Sequence, residues 1–364
     1  MGQYAKGLLE AMAKADAENE YLVFALGRST RLAELPVVAS NVSYRVRPIP
    51  RRVHDRLLLA GLAPPMELLI GCRPDICIWP NFISWPTLRG VQNVVVIHDL
   101  CYLLHGQYMT DRDRSYYATL VPRALRRADR VIAVSSNVKQ ELVEHLGVRE
   151  ERIAVVSPAV EPGRFYPRGA GEVERVTRSH GLSGPYILYT GTVEPRKNVI
   201  GLLDAYAALP DTLRDTFSLV LVGGGGWLDA DILRRLDELS ALSIIPTGYV
   251  ADADLPALYS GARLFVYPSM YEGFGMPPLE AMACGVPVIT SDSSSLPEVV
   301  GDAGLMVSAP DTHELSSAIE RVLTDEELAT AMRTRGLLRA KRLTWARSAS
   351  LMRDVLAELS SRTD

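Results

Sequence analysis

Short apolar runs alternate along the whole chain with longer stretches in which apolar positions recur every three or four residues. The first pattern marks buried strands and the second amphipathic helices. Strand-like runs fall at residues 21–26, 42–46, 76–79, 94–97, 130–134 and 153–156 in the first half, with helices between them, including 116–127 and 137–146. The second half repeats the order, with runs at 186–189, 218–222, 243–246, 264–267, 286–289 and 304–307 and helices from about His313 onward. Strand–helix alternation of this kind predicts the α/β class, with parallel sheets covered on both faces. Residues 157–171 are rich in Pro and Gly and lack periodicity, as a hinge does. The expected organisation is a first domain at 1–157, a hinge at 158–171, a second domain at 172–343, and a last segment at 344–364 whose helix crosses back to the first.

Composition narrows the function. The chain has 364 residues, 48% of them hydrophobic and 23% charged, which suits two folded domains. A net charge of -4 supplies no global basic field, so nucleic acid is not an expected partner. The four cysteines, Cys72, Cys77, Cys101 and Cys284, form no CxxC pair and read as reduced residues of a cytoplasmic protein. No run approaches the roughly 20 apolar residues of a membrane span. The chain opens directly on a helical pattern, so the expectation is that a first strand is missing ahead of it.

Two stretches carry chemistry. In the first, a strand ends at Gly191, a loop presents Glu194, Pro195, Arg196 and Lys197, and Asn198 is expected to cap a helix. Two cations beside a helix N-terminus suit a diphosphate, and a solvated charged turn is the alternative. In the second, a strand ending near Tyr267 runs into Glu272, Gly273, Phe274 and Gly275, then Pro277, Pro278 and Glu280, with a short helix at 281–284 stopped by Gly285. The glycines permit close backbone approach, and the two carboxylates suit sugar and ribose hydroxyls. Alternatively, Glu280 complements a helix dipole and Glu272 is a loop acid.

A third strand delivers His98 to the C-terminal edge of a parallel sheet, where such sheets bind ligands, with a structural core histidine as the alternative. The remaining histidines, His54, His105, His145, His180 and His313, read as surface residues. Ser295 lies where another helix N-terminus would add phosphate donors or merely a cap. The glycines at 223–226 do not complete a GxGxxG motif, and Asp252 with Asp254, like Asp111 with Asp113, read as helix lead-ins rather than metal ligands. Arg45, Arg47, Arg51, Arg52 and Arg56 precede an apolar run at 57–62. They suit either an anionic membrane surface or a helix with one solvated face.

Together the motifs GTVEPRKN (191–198), YEGFGMPPLEAMACG (271–285) and SSLPEVVGDAG (294–304) resemble those of the retaining GT-B glycosyltransferases of family 4, and most closely the bacterial O-antigen-type mannosyltransferase branch. The resemblance implies two Rossmann-like domains facing across a cleft, the second holding a nucleotide-sugar donor and the first a glycan or lipid-linked acceptor. It implies that Arg196 and Lys197 bind diphosphate, Glu280 ribose and Glu272 the donor sugar, with His98 contacting the transferred sugar. Tyr249 and Val250 fall at the nucleobase. Gly2 is what remains of a Gly-rich loop that in the family follows a first strand. The implied reaction is transfer of a hexosyl unit, mannose from GDP-mannose, with no metal or other cofactor, at the inner face of a membrane. Competing readings are an epimerase or phosphorylase of the same architecture, or a non-catalytic nucleotide-binding protein.

Overall fold

A computed structural model of the chain describes residues 2–26, 37, 39–224 and 230–361. It divides into two compact units: residues 2–106 and 110–159 with the C-terminal helix Trp345–Ser360, and residues 160–344 with the short stretch Gln107–Met109. Every strand pair in both is parallel.

The first unit holds β1 (Tyr21–Leu26) paired with β2 (Val42–Arg47), and a separate sheet of β3 (Ile76–Trp79), β4 (Gln92–Ile97), β5 (Arg130–Ala133) and β6 (Ile153–Val155) in sequential order. Val94 to Ile97 on β4 and Val131 to Ala133 on β5 have no exposure, as central parallel strands covered on both faces require. The first helix, Gly2–Ala15, packs on Trp345–Ser360 so closely that a Cβ at Gly7 would lie 2.4 Å from the Trp345 indole. Arg45 and Arg47, expected among membrane-facing cations, instead donate to the carbonyls of Ile70 and Leu69, and Arg51 faces Asp55 at 3.6 Å. Arg47, Arg51, Arg52 and Arg56 are exposed.

The second unit is one sheet in the order β12-β11-β10-β7-β8-β9. Its strands are β7 (Tyr186–Thr190), β8 (Ser218–Val222), β9 (Ile244–Gly248), β10 (Leu264–Tyr267), β11 (Val288–Ser291) and β12 (Leu305–Val307). β11 starts two residues later than the apolar pattern predicts, because Pro287 has no N–H for the ladder. β9 keeps Pro246 because it is an edge strand, and its register slips opposite Leu221 and Val222. The helix expected at 281–284 begins earlier, at Met276, and runs to Ala283, with Gly275 at its N-cap.

At the C-terminal ends of the central strands two glycines meet. Gly191 has φ +149° and Gly223 φ +145°, and a Cβ on Gly223 would lie 1.9 Å from the Gly191 carbonyl oxygen. Hydrogen bonds from Gly191 N to Val222 O (2.9 Å), Val193 N to Gly224 O (3.0 Å) and Gly223 N to Gly248 O (2.9 Å) tie three loops into one floor. Gly225 and Gly226 lie outside the described residues. Gly223→Ala combines a backbone clash with an unfavourable φ, so it is expected to destabilise by about 3 kcal/mol or more, read as a drop in thermal midpoint.

Candidate functional site

The loop after β7 places Arg196 and Lys197 on a single 3₁₀ turn, Pro195–Lys197, above that floor. Asn198 follows at φ +55° and precedes the helix Val199–Ala207, but its side chain does not cap that helix. Its amide donates to Ala309 O at 2.7 Å and packs against Gly201. Both cations point at carboxylates. Arg196 reaches Glu194 Oε1 at 2.8 Å and Glu272 Oε2 at 3.3 Å, while the Lys197 ammonium donates to Glu272 Oε1 and to the Tyr267 hydroxyl at 2.7 Å. Burial of this kind excludes the solvated-turn alternative: Lys197 is 8% exposed and Glu194 2%.

Glu272 is the hub. Its Oε1 also accepts from Tyr267 and Ser269 hydroxyls, both at 2.8 Å. Burial alone would raise this carboxyl, but the charges of Lys197 and Arg196 outweigh it and hold it at about 2. The Lys197 ammonium is itself lowered by burial, with Glu272 opposing. Two serines clamp the loop that carries Glu272. Ser294, at φ +51°, accepts from Glu272 N at 2.8 Å, and Ser295 Oγ donates towards the carbonyls of Glu272 (2.9 Å) and Phe274 (2.7 Å). Ser295 has no exposure and its side chain does not cap the helix it precedes, Leu296–Val300; its hydroxyl fixes the loop. Gly273 and Phe274 are buried in the same loop. Gly275, at φ +112°, lies where a Cβ would meet Leu296 at 2.7 Å.

Glu280 sits on the helix Met276–Ala283, only 8% exposed and without a cation in hydrogen-bonding reach among the described residues. Burial pushes its carboxyl up to about 7, opposed by the hydrogen bond from Tyr259. The Tyr259 hydroxyl stands 3.0 Å from Glu280 Oε2 and 2.6 Å from Thr190 Oγ1 on β7. Beyond β9, Tyr249 is 79% exposed and offers a ring face. Val250 is 3% exposed, leaving only its backbone for recognition.

In the first unit, His98 follows β4. Its Nε2 lies 2.8 Å from Pro80 O; because a carbonyl only accepts, Nε2 carries the proton and Nδ1 is left as an acceptor. Burial holds the imidazole down at about 4, so it is neutral at physiological pH. Phe82, at φ +53°, and Tyr4 pack edge-on to it at 5.5 and 5.2 Å. Gly2 is exposed on the helix that carries Tyr4. Two histidines are not the free surface residues expected: His54 stacks on Trp85 at 4.8 Å beside Asp55, and His180 pairs with Asp254 at 3.1 Å.

Residues 173–339 match the family model Glycosyl transferases group 1, and residues 1–164 match Glycosyltransferase Family 4. O-antigen chain mannosyltransferase B of Escherichia coli is 40% identical over 73% of this chain and 70% of its own length. The chain belongs to glycosyltransferase family 4. The serotype-specific mannosyltransferase WbdA of Escherichia coli is 34% identical over 81% of the transferase, which spans only 37% of WbdA. Among solved structures, sucrose-phosphate synthase from Thermosynechococcus elongatus matches with a TM-score of 0.74 at 23% identity, over 99% of this chain and 93% of that one. Anabaena HepE in complex with UDP and glucose matches with 0.73 at 19%, over 97% and 95%. The transferase has the GT-B fold, and its membership of family 4 replaces the epimerase, phosphorylase and non-catalytic readings.

Motif reading missed Tyr259, Thr190, Tyr267, Ser269 and Ser294. Tyr267 and Ser269 flank a strand end, where polar residues signal a site. Tyr259 carries no local signal, because 69 residues separate it from Thr190 and 21 from Glu280. Tyr259→Phe removes a donor to the Glu280 carboxylate. The carboxyl then rises further, by about one pH unit for a hydrogen bond of about 1 kcal/mol. The pH midpoint of nucleoside-diphosphate binding is expected to move up by that amount, measured by calorimetric titration across the neutral range.

Proposed function

We propose that this transferase moves a mannosyl unit from GDP-mannose to a glycan or lipid-linked saccharide, with retention of anomeric configuration and without a divalent cation. The observation that carries it is the half-buried Arg196 and buried Lys197, paired with Glu272 at the strand ends of the unit whose helix Met276–Ala283 carries Glu280. Two relatives named as mannosyltransferases support the sugar. In this reading Arg196 and Lys197 neutralise the donor diphosphate, Glu280 accepts from ribose hydroxyls, Tyr249 stacks on the base, and Glu272 accepts from hydroxyls of the transferred sugar. His98 Nδ1 accepts from a sugar hydroxyl.

Binding of a diphosphate draws the two cations partly away from Glu272 and frees that carboxylate for the sugar. The acceptor hydroxyl oxygen then attacks C1 on the face from which the diphosphate departs. As the C1–O bond to phosphate breaks, the phosphate oxygen takes the hydroxyl proton and the cations hold the charge left on the leaving group. Among the described residues no group of three or more His, Cys, Asp or Glu is placed to hold a metal ion. The same reading puts the enzyme at the cytoplasmic face of a membrane; no helix among the described residues is long and apolar enough to cross one. The test is nucleotide release from GDP-mannose, UDP-glucose and related donors with EDTA present. Release from GDP-mannose alone is expected, and release that requires added Mg²⁺ or that selects another donor overturns the corresponding part.

A further inference from the structure

The helix Asp111–Arg127 ends in Arg123, Arg126 and Arg127, whose spacing of three and four puts them on one face. The helix Arg51–Ala60 stops at Gly61 beside them. Between the two helix ends is a cavity of about 260 Å³ lined by Gly61 and the three arginines. A Cβ at Gly61 would meet no atom within 4 Å, so nothing fills this corner. Two of the guanidiniums are held in place by backbone. Arg123 donates to Leu58 O (3.0 Å) and Leu59 O (2.9 Å), and Arg127 to Ser84 O (3.5 Å).

No carboxylate among the described residues forms an ion pair with any of the three, whereas Arg51, Arg164, Arg168, Arg178, Arg235 and Arg263 each have one. Burial and then the charges of Arg123 and Arg126 pull the Arg127 guanidinium below its ordinary value, as expected where cations converge without a counter-charge. Basic residues at a helix C-terminus also complement its dipole. The dipole accounts for their position along the helix but not for a cavity, nor for the exposed leucines that flank Gly61 in sequence. Leu59, two residues before Gly61, is 39% exposed, and Leu62, directly after it, is 72% exposed. A planar guanidinium fork suits phosphate oxygens, and exposed leucines beside it suit an acyl-chain boundary.

We propose that this cavity seats the phosphate of an anionic membrane lipid headgroup, with Leu59 and Leu62 entering the interface. It makes specific the membrane part of the reading above and does not depend on the sugar transferred. The test is co-sedimentation of the full chain with vesicles of phosphatidylcholine alone or mixed with phosphatidylglycerol, for the wild type, Arg126→Gln/Arg127→Gln and Leu62→Ser. Arg123 is kept because it holds the end of the neighbouring helix. Binding to the mixed vesicles is expected, weakened about 30-fold by the loss of two arginines and several-fold by the loss of Leu62. Binding that is equal on neutral vesicles, or unchanged in the double variant, overturns the proposal. So does a thermal shift with inorganic phosphate that the double variant loses while no vesicle binds, since the cavity then takes free phosphate. Nucleotide release in solution, measured on the same samples, is expected to be unchanged. A loss of membrane binding is thereby separated from a failure of the transfer reading.

Discussion

Lys197→Met is expected to lower nucleotide-sugar turnover on the order of a thousandfold and to cost about 3 kcal/mol of stability, two losses with different remedies. The turnover loss follows from removing one of two preorganised cations at the leaving diphosphate. The stability loss follows from what remains. Glu272 is buried, and without Lys197 its charge has only Arg196 at 3.3 Å and the Tyr267 and Ser269 hydroxyls. Breaking a buried pair from one side costs about 3–5 kcal/mol, and the surviving Arg196 contact puts this case at the lower end. Adding Glu272→Gln removes the stranded charge while keeping an amide for the same hydroxyls. Lys197→Met/Glu272→Gln is therefore expected to recover most of the thermal midpoint and none of the turnover. If turnover returns with the midpoint, the pair is structural and the diphosphate is held elsewhere.

The difference between these two losses also shows which parts of the molecule sequence alone discloses. Strand positions were legible because parallel strands are short, nearly continuous apolar runs, whether buried on both faces, as β8 and β10, or half-buried, as β1 and β3: all four fall where hydrophobicity places them. Where boundaries moved, a local rule competed with hydrophobicity, as at Pro287 before β11 and Pro246 inside the edge strand β9. The candidate residues of the second unit stand out in sequence because Arg196 and Lys197 lie together on one loop, and Glu272 and Glu280 on one loop–helix segment, with Gly and Pro punctuation. Their pairing does not. That Lys197 and Glu272 neutralise one another across 75 residues depends on β7 lying beside β10, and strand order leaves no mark on either segment. The same non-locality hid Tyr259 and the role of the Ser295 hydroxyl, which makes no helix cap and bonds the Glu272 loop instead. In the first unit, sequence shows the charge of Arg45 and Arg47 but not the carbonyls of Ile70 and Leu69 that they meet. The arginines at 123–127 drew no attention because a basic helix end is ordinary.

Glu280→Gln is expected to make the protein more stable and a poorer binder of nucleotide, and pH should reveal both effects. The Glu280 carboxyl stands at about 7 against an ordinary 4.5, chiefly because burial disfavours its charge. A raised acid binds its proton more tightly in the folded state than in the unfolded one. The stability associated with it is thus fully present below about 4.5 and is lost as pH climbs to about 7. By about pH 8 the loss amounts to about 3 kcal/mol, which an uncharged glutamine avoids. Glu280→Gln should accordingly melt several degrees above the wild type at about pH 8 and level with it near pH 4.5. The same carboxylate accepts from ribose hydroxyls in the proposed complex, so wild-type affinity for a nucleoside diphosphate is expected to rise as pH passes about 7. In the variant that rise disappears, and affinity at about pH 8 falls roughly 10- to 100-fold, as for losing hydrogen bonds to a charged group. A variant that gains stability while keeping pH-dependent binding would place the ribose away from Glu280. A variant that gains none would mean that the carboxyl stands no higher in the folded state than in the unfolded one. The expected pair of results identifies Glu280 as a charge the fold tolerates at neutral pH because the nucleotide uses it.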